Sequence, residues 1–98
     1  MILQQGDVLI EKVPQIKGKK LNHLTLAYGE VTNHHHTITK GDAELYEDNG
    51  TLYLRVLSDE ASLTHQEHQT LTIPKGDFIV KRVREVDHFA EEVRQVRD

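Results

Sequence analysis

The sequence predicts a mainly β protein: a small antiparallel β-barrel or sandwich of six to eight short strands, followed by a short C-terminal helix. Three observations lead there. Short β-branched and aliphatic runs alternate with turn signals along most of the chain. Helical periodicity is absent until Asp87. One segment, AELYEDNGTLYLRV, reads as a hairpin on its own internal pattern.

Taken in order, Asp7–Val13 (DVLIEKV) follows a Gly6-Asp7 turn and stops at Pro14, after which PQIKGKK is a polar loop. Leu24–Thr32 is a second extended run, with Gly29 as a bulge or close-approach point. Three histidines carry that run into Thr37-Ile38-Thr39, and Lys40-Gly41-Asp42 turns the chain. In the hairpin, Asn49-Gly50 suits the two positive-φ positions of a type I′ turn. That register sets Tyr46 against Tyr53, Glu44 against Arg55 and Leu45 against Leu54, so one face is aliphatic and the other polar and aromatic. Ser58–Ala61 reads as a loop, SLTHQEHQ leads into TLTI, Pro74-Lys75-Gly76-Asp77 reads as a turn, and FIVKRVREV as the last long strand. From Asp87, a helix cap, Phe89, Val93 and Val96 fall on one helical face; the alternative is an arm that packs on a neighbour.

The 98 residues fit a single β-rich domain spanning 1–98. With no cysteine, disulfides and thiolate ligands are excluded, so a transition-metal site must be built from histidine and carboxylate. No apolar run approaches the ~20 residues of a membrane span, and MILQQGD lacks the features of a signal peptide. The expectation is a soluble, cytoplasmic protein, with homo-oligomerisation as a route to the core that one short chain lacks. The formal charge of −4 gives no general pull toward nucleic acid. Two basic groups, Lys17, Lys19 and Lys20, then Lys81, Arg82 and Arg84, read most simply as a solvated loop and the wet face of a strand.

Chemistry concentrates in the histidines, of which there are seven. Five fall in two clusters, His34-His35-His36 and His65-Gln66-Glu67-His68. Alternation on a strand puts His34 and His36 on one face and His35 on the other. His65 and His68 share a face only if their segment bends, and a bend would complete a set of three or four imidazoles. Neutral imidazoles suit zinc, nickel, iron or manganese better than magnesium or calcium. Three histidines with an open position form a catalytic arrangement, whereas four closed ligands form a structural one. Glu67 is a candidate ligand, a candidate orienter of a histidine, or a candidate general base for water activated at the metal. The simpler alternative is a solvated strand face whose histidines bond to one another and to carboxylates. His23 and His88 are isolated and read as surface residues.

Three functions follow as expectations. The first is a divalent transition-metal-binding β protein using His34, His36, His65 and His68, with metal-dependent hydrolysis and Glu67 as base. The second is a non-catalytic structural or adaptor module of phage type. The third is a metal-free nuclease or lyase in which two histidines act as general acid and base.

Gly29, His34, His36, Glu44 and Gly50 resemble the glycine, His-x-His, glutamate, glycine order of the first cupin motif, with different spacing. That resemblance implies metal bound by two histidines and a glutamate inside a β-barrel. QGDVLI, GEVTNHHH, ELYEDNGTLYLRV, LTHQEH and LTIPKGDFIVKRVREVDHFAEEVRQVRD together resemble a group of small, mostly uncharacterised bacterial and phage proteins. These show Gly-Glu-Val-Thr-Gly-His-x-His and Thr-His-x-Glu-His segments; here Asn33 replaces the usual glycine and Val86 the usual tyrosine. The resemblance implies that the two histidine segments belong to one plan, and supplies no activity.

Overall fold

A computed structural model describes residues 1–28 and 34–83. Among them lie eight strands in one antiparallel sheet that curls into a half-barrel: β1 (Ile2–Gln5), β2 (Val8–Lys12), β3 (Lys19–Lys20), β4 (Thr25–Tyr28), β5 (His35–Lys40), β6 (Ala43–Asp48), β7 (Thr51–His65) and β8 (His68–Arg82). The main order is β1-β2-β8-β7-β5-β4, with β6 on β7 and β3 on β6. No α-helix occurs among the described residues; the helix expected from Asp87 and the bulge expected at Gly29 fall outside them.

The hairpin forms in the register its sequence dictates. Leu45 pairs with Leu54, Tyr46 with Tyr53 and Glu44 with Arg55. Asn49 and Gly50 both take positive φ, 49° and 83°, as a type I′ turn requires. Leu45, Leu54 and Val56 are buried in the core beside Val8, Ile10, Leu63, Ile73 and Phe78. The opposing faces stay polar: Tyr46 Oη donates to Glu44, whose carboxylate also holds Lys20 at 3.1 Å, while Arg55 bonds Asp77 at 3.0 Å.

Two expected breaks are absent. Ser58–Ala61 and Pro74–Asp77 were both expected to leave the sheet, yet they lie within β7 and β8, two strands of 15 residues each. The chain bends there without ending. Val56 pairs with Gly76 and Glu60 with Pro74, so β7 carries two extra residues against β8 at this bulge. A bulge tolerates proline, which has no N–H to donate, and Gly76 supplies a φ of 144° closed to L side chains. On the far side of β7 the partner changes at the same level. β5 and β6 run end to end along it, joined at Gly41-Asp42, whose backbone locks onto the bulge through Leu57 N–H to Asp42 O at 2.8 Å. A Cβ on Gly41 would sit 2.5 Å from Glu60 O, so the junction closes only around glycine.

Two further strands were not anticipated: β3, which pairs Lys19 and Lys20 with β6 inside the stretch expected to be a polar loop, and β1. ILQQ pairs with β2 across the Gly6-Asp7 turn, which brings Gln5 opposite Val8. β2 in turn pairs with the C-terminal half of β8, and the sheet's curl carries the β1–β2 turn over the tip of the β7–β8 hairpin. That closure builds the site.

Candidate functional site

Three strand ends meet at the cluster: the start of β5, the β7–β8 tip and the β1–β2 turn. On β5 the burial alternates as expected. His36 and Ile38 point into the core, and His36 is only 2 % exposed. His35 faces away: its Nδ1 lies 2.6 Å from Thr37 Oγ1, and its ring is 6.3 Å from that of the exposed Tyr28.

The bend that His65 and His68 needed is the β7–β8 turn itself. His65 pairs directly with His68 across Gln66-Glu67. Neither turn residue has positive φ, so this is not a type I′ turn, and a bulge beside it absorbs the twist mismatch. Leu63 faces Leu71 while His65 faces His68, which puts His68 on the same side as Leu71 despite an odd spacing of three.

All four expected imidazoles come together. Ring centroids are 4.3 Å apart for His36 and His65, 4.6 Å for His65 and His68, 5.9 Å for His36 and His68, and 5.6 Å for His34 and His65. His36, His65 and His68 form a triangle, and His34 joins through His65. Glu67 sits at the hairpin tip, 67 % exposed at its side chain, with Oε2 3.7 Å from His34 Nδ1.

Residues from the β1–β2 turn, which sequence reasoning passed over, order this cluster. Gln5, 1 % exposed, donates from Nε2 to both Leu63 O and Gln69 O at 2.8 Å. Only the amide nitrogen can donate to two carbonyls, so the orientation of the side chain is settled and Oε1 is an acceptor. His36 Nδ1 lies 2.8 Å from Oε1 and must therefore carry a proton. The neutral ring then presents a lone pair at Nε2, 3.6 Å from Asp7 Oδ1. Asp7 Oδ2 is gripped by Arg82 through Nη2 at 2.6 Å and Nε at 3.0 Å. Gly6 lies flat against His68; a Cβ there would be 2.6 Å from its Nε2. The one sequence cue to this group was the Gly6-Asp7 turn flanked by two glutamines in an otherwise apolar run.

Burial pushes His36 down from the ordinary 6.5 to about 4; His65 adds to the shift, Asp7 opposes it, and His68 and Arg82 lower it further. Burial also lowers His65, reinforced by His68 and His34 and opposed by Glu67 and Asp7. The centre of the cluster is thus neutral imidazole at physiological pH.

For scale, an imidazole bound through one nitrogen puts its centroid ~3 Å from zinc, and tetrahedral neighbours then have centroids ~5 Å apart. The observed separations span that value. Among the described residues, no group of three or more His, Cys, Asp or Glu is arranged so that it could hold a metal ion. One reason is visible at His65, whose Nδ1 accepts the Glu67 backbone N–H at 3.0 Å. Ligation by this ring would exchange that bond for a coordination bond. The cupin-like order does not assemble: Glu44 is held by Lys20 and Tyr46 on the hairpin.

Fold and site together define a class, a small antiparallel β protein with a partly buried histidine cluster where three strand ends converge. The family model described as a domain of unknown function (DUF8820) matches residues 4–83, and the chain belongs to that family. The match runs from Gln4 to Val83 and takes in every residue of the cluster. No curated protein and no solved structure matches the chain.

Proposed function

We propose that the protein binds a divalent transition metal (zinc, nickel, iron or manganese) through His36, His65 and His68, with His34 as the fourth ligand or its neighbour. The observation that carries this reading is the Gln5–His36 hydrogen bond. A metal-ligating histidine typically donates its other ring N–H to a carbonyl or carboxylate, which fixes the tautomer and aims the lone pair. Gln5 does this for His36 from within the core. Binding also needs deprotonated ligands, and His36 and His65 are both shifted toward the neutral form. Glu67, on the solvent side and 3.7 Å from His34, would act as a base on water at such a centre, and a hydrolytic reaction is the chemistry that suits it. The small bacterial and phage proteins that share the two histidine segments would share this centre.

A second reading draws on His65. Its Nδ1 accepts a backbone N–H, so the neutral ring carries its proton on Nε2, while His36 presents an Nε2 lone pair. A donor and an acceptor imidazole with rings 4.3 Å apart suit metal-free general acid–base catalysis.

Elemental analysis of protein purified without a nickel column, with thermal shifts on adding Zn2+, Ni2+, Fe2+ or Mn2+, separates these. The metal reading expects stoichiometric metal and a rise in Tm; neither, in wild type, would sink it. Activity that survives a chelator and follows a bell-shaped pH profile would favour the second reading. A chain with no metal and no such activity would be left as a non-catalytic module.

A further inference from the structure

We infer that the tip of the β7–β8 hairpin, residues 64–68, is a gate over His36, latched to β5 by the side chain of Gln66. The inference rests on His36 being a working group of the site, as both readings above have it. Its test uses neither metal nor activity, so its failure leaves those readings standing.

His36 is enclosed between two lips. One is the β1–β2 turn, where Gln5 Oε1 meets Nδ1 at 2.8 Å and Asp7 Oδ1 lies 3.6 Å from Nε2. The other is the hairpin tip. It carries His65, whose ring is 4.3 Å from that of His36, and His68, whose ring lies nearly parallel at 5.9 Å. His36 is buried while His68 is exposed, so a ligand reaches the inner ring when one lip moves.

The β1–β2 turn is the fixed lip. Arg82 holds Asp7 through two hydrogen bonds, and Val83 N–H donates to Asp7 O at 2.7 Å. Gln5 is anchored on Leu63 O and Gln69 O, the two carbonyls that flank the tip. It therefore pins the base of the hairpin and leaves residues 64–68 beyond the pin. The β7–β8 ladder is interrupted by a bulge between Leu63 and His65, and a bulged strand bends. The hinge and the pin coincide.

The latch replaces a missing piece of ladder. Among the described residues, β5 pairs with β7 as far as Thr37 opposite Thr64. Continued by two residues, that register would set the His35 backbone against the Gln66 backbone. Instead His35 N–H donates to the Gln66 side chain, Oε1, at 2.8 Å. Glu67 Oε2 comes to 3.7 Å from His34 Nδ1, beyond hydrogen-bond distance. Gln66, Glu67 and His68 are all exposed, and a solvent-exposed hydrogen bond is worth little net. A segment held in this way belongs to the low-stability end of a structure, which opens locally without global unfolding.

The test follows carbethoxylation of His36 by diethyl pyrocarbonate at neutral pH, located by fragment-ion mass spectrometry. The exposed His23 serves as internal reference. In wild type, His36 should react more slowly than His23, at a rate that stays flat in urea below the unfolding transition, as local opening exposes little surface. Gln66→Ala should raise the His36 rate about 2- to 10-fold, the worth of one such hydrogen bond, with His23 unchanged. Gln66→Glu keeps an acceptor oxygen for His35 N–H and should stay near the wild-type rate. A Gln66→Ala rate equal to wild type overturns the latch. A wild-type rate that climbs with urea in step with unfolding overturns the gate, even where Gln66→Ala does not fold.

Discussion

His36 and Gln5, on strands 31 residues apart in sequence, share a 2.8 Å hydrogen bond sealed from solvent, and that bond decides which nitrogen of His36 carries the proton. Gln5→Leu removes it together with the bonds to Leu63 O and Gln69 O. Stranding those buried groups should cost about 2–4 kcal/mol of stability, read by chemical denaturation. Nitrogen NMR of the His36 ring should show the Nδ1–H tautomer in wild type and its loss in the variant. A wild-type ring protonated on Nε2 would contradict the geometry.

Acid should destabilise the metal-free protein over a defined window. His36 has a folded pKa of about 4 against 6.5 unfolded, so between those values the unfolded chain binds more protons. Stability is therefore complete above about pH 6.5 and falls as pH drops toward 4. The loss approaches on the order of 3 kcal/mol once His36 is protonated in both states. His65 is shifted in the same direction and adds to it. Urea titrations from pH 7.5 to 4.5 measure the slope, which should flatten in His36→Gln.

Gly6→Ala tests the approach of the turn to His68. Its φ of 59° costs an L residue about 1–2 kcal/mol, and the new methyl must displace the imidazole. Reduced stability should come with weakened Zn2+ binding. Binding unchanged from wild type would mean that His68 is not held in place by this contact.

Two substitutions should spare the site. His35→Ala alters the opposite face of β5 and should leave metal affinity within error. At Gly50 a Cβ would meet nothing within 4 Å, so Gly50→Ala carries only the backbone cost of a positive φ, about 1 kcal/mol. Its denaturation midpoint should fall while Zn2+ affinity holds.

Local patterns were legible in the sequence and long-range ones were not. Asn49-Gly50 set the hairpin register because turn type and side-chain alternation agree within 14 residues. Alternation also separated His35 from His36. Pro74-Lys75-Gly76-Asp77 misled because a bulge uses the same residues as a turn; what keeps the chain in the sheet is pairing with Val56 and Glu60, which composition does not reveal. The glutamine pair before Gly6 carries no local pattern that marks it. Its role appears only when Gln5 meets Leu63 and Gln69, 58 and 64 positions away.

Those separations bear on how the protein folds. The Asn49-Gly50 hairpin closes a short loop, whereas the Asp7–Arg82 contact spans 75 positions. Closure over such distances costs entropy before any contact repays it, so contacts of this range tend to consolidate late. The imidazole triangle is thus a marker of completed folding. A cation bound there should act as a lock on the finished state, slowing unfolding far more than it speeds folding. Stopped-flow chevrons with and without Zn2+ would show the change confined to the unfolding limb.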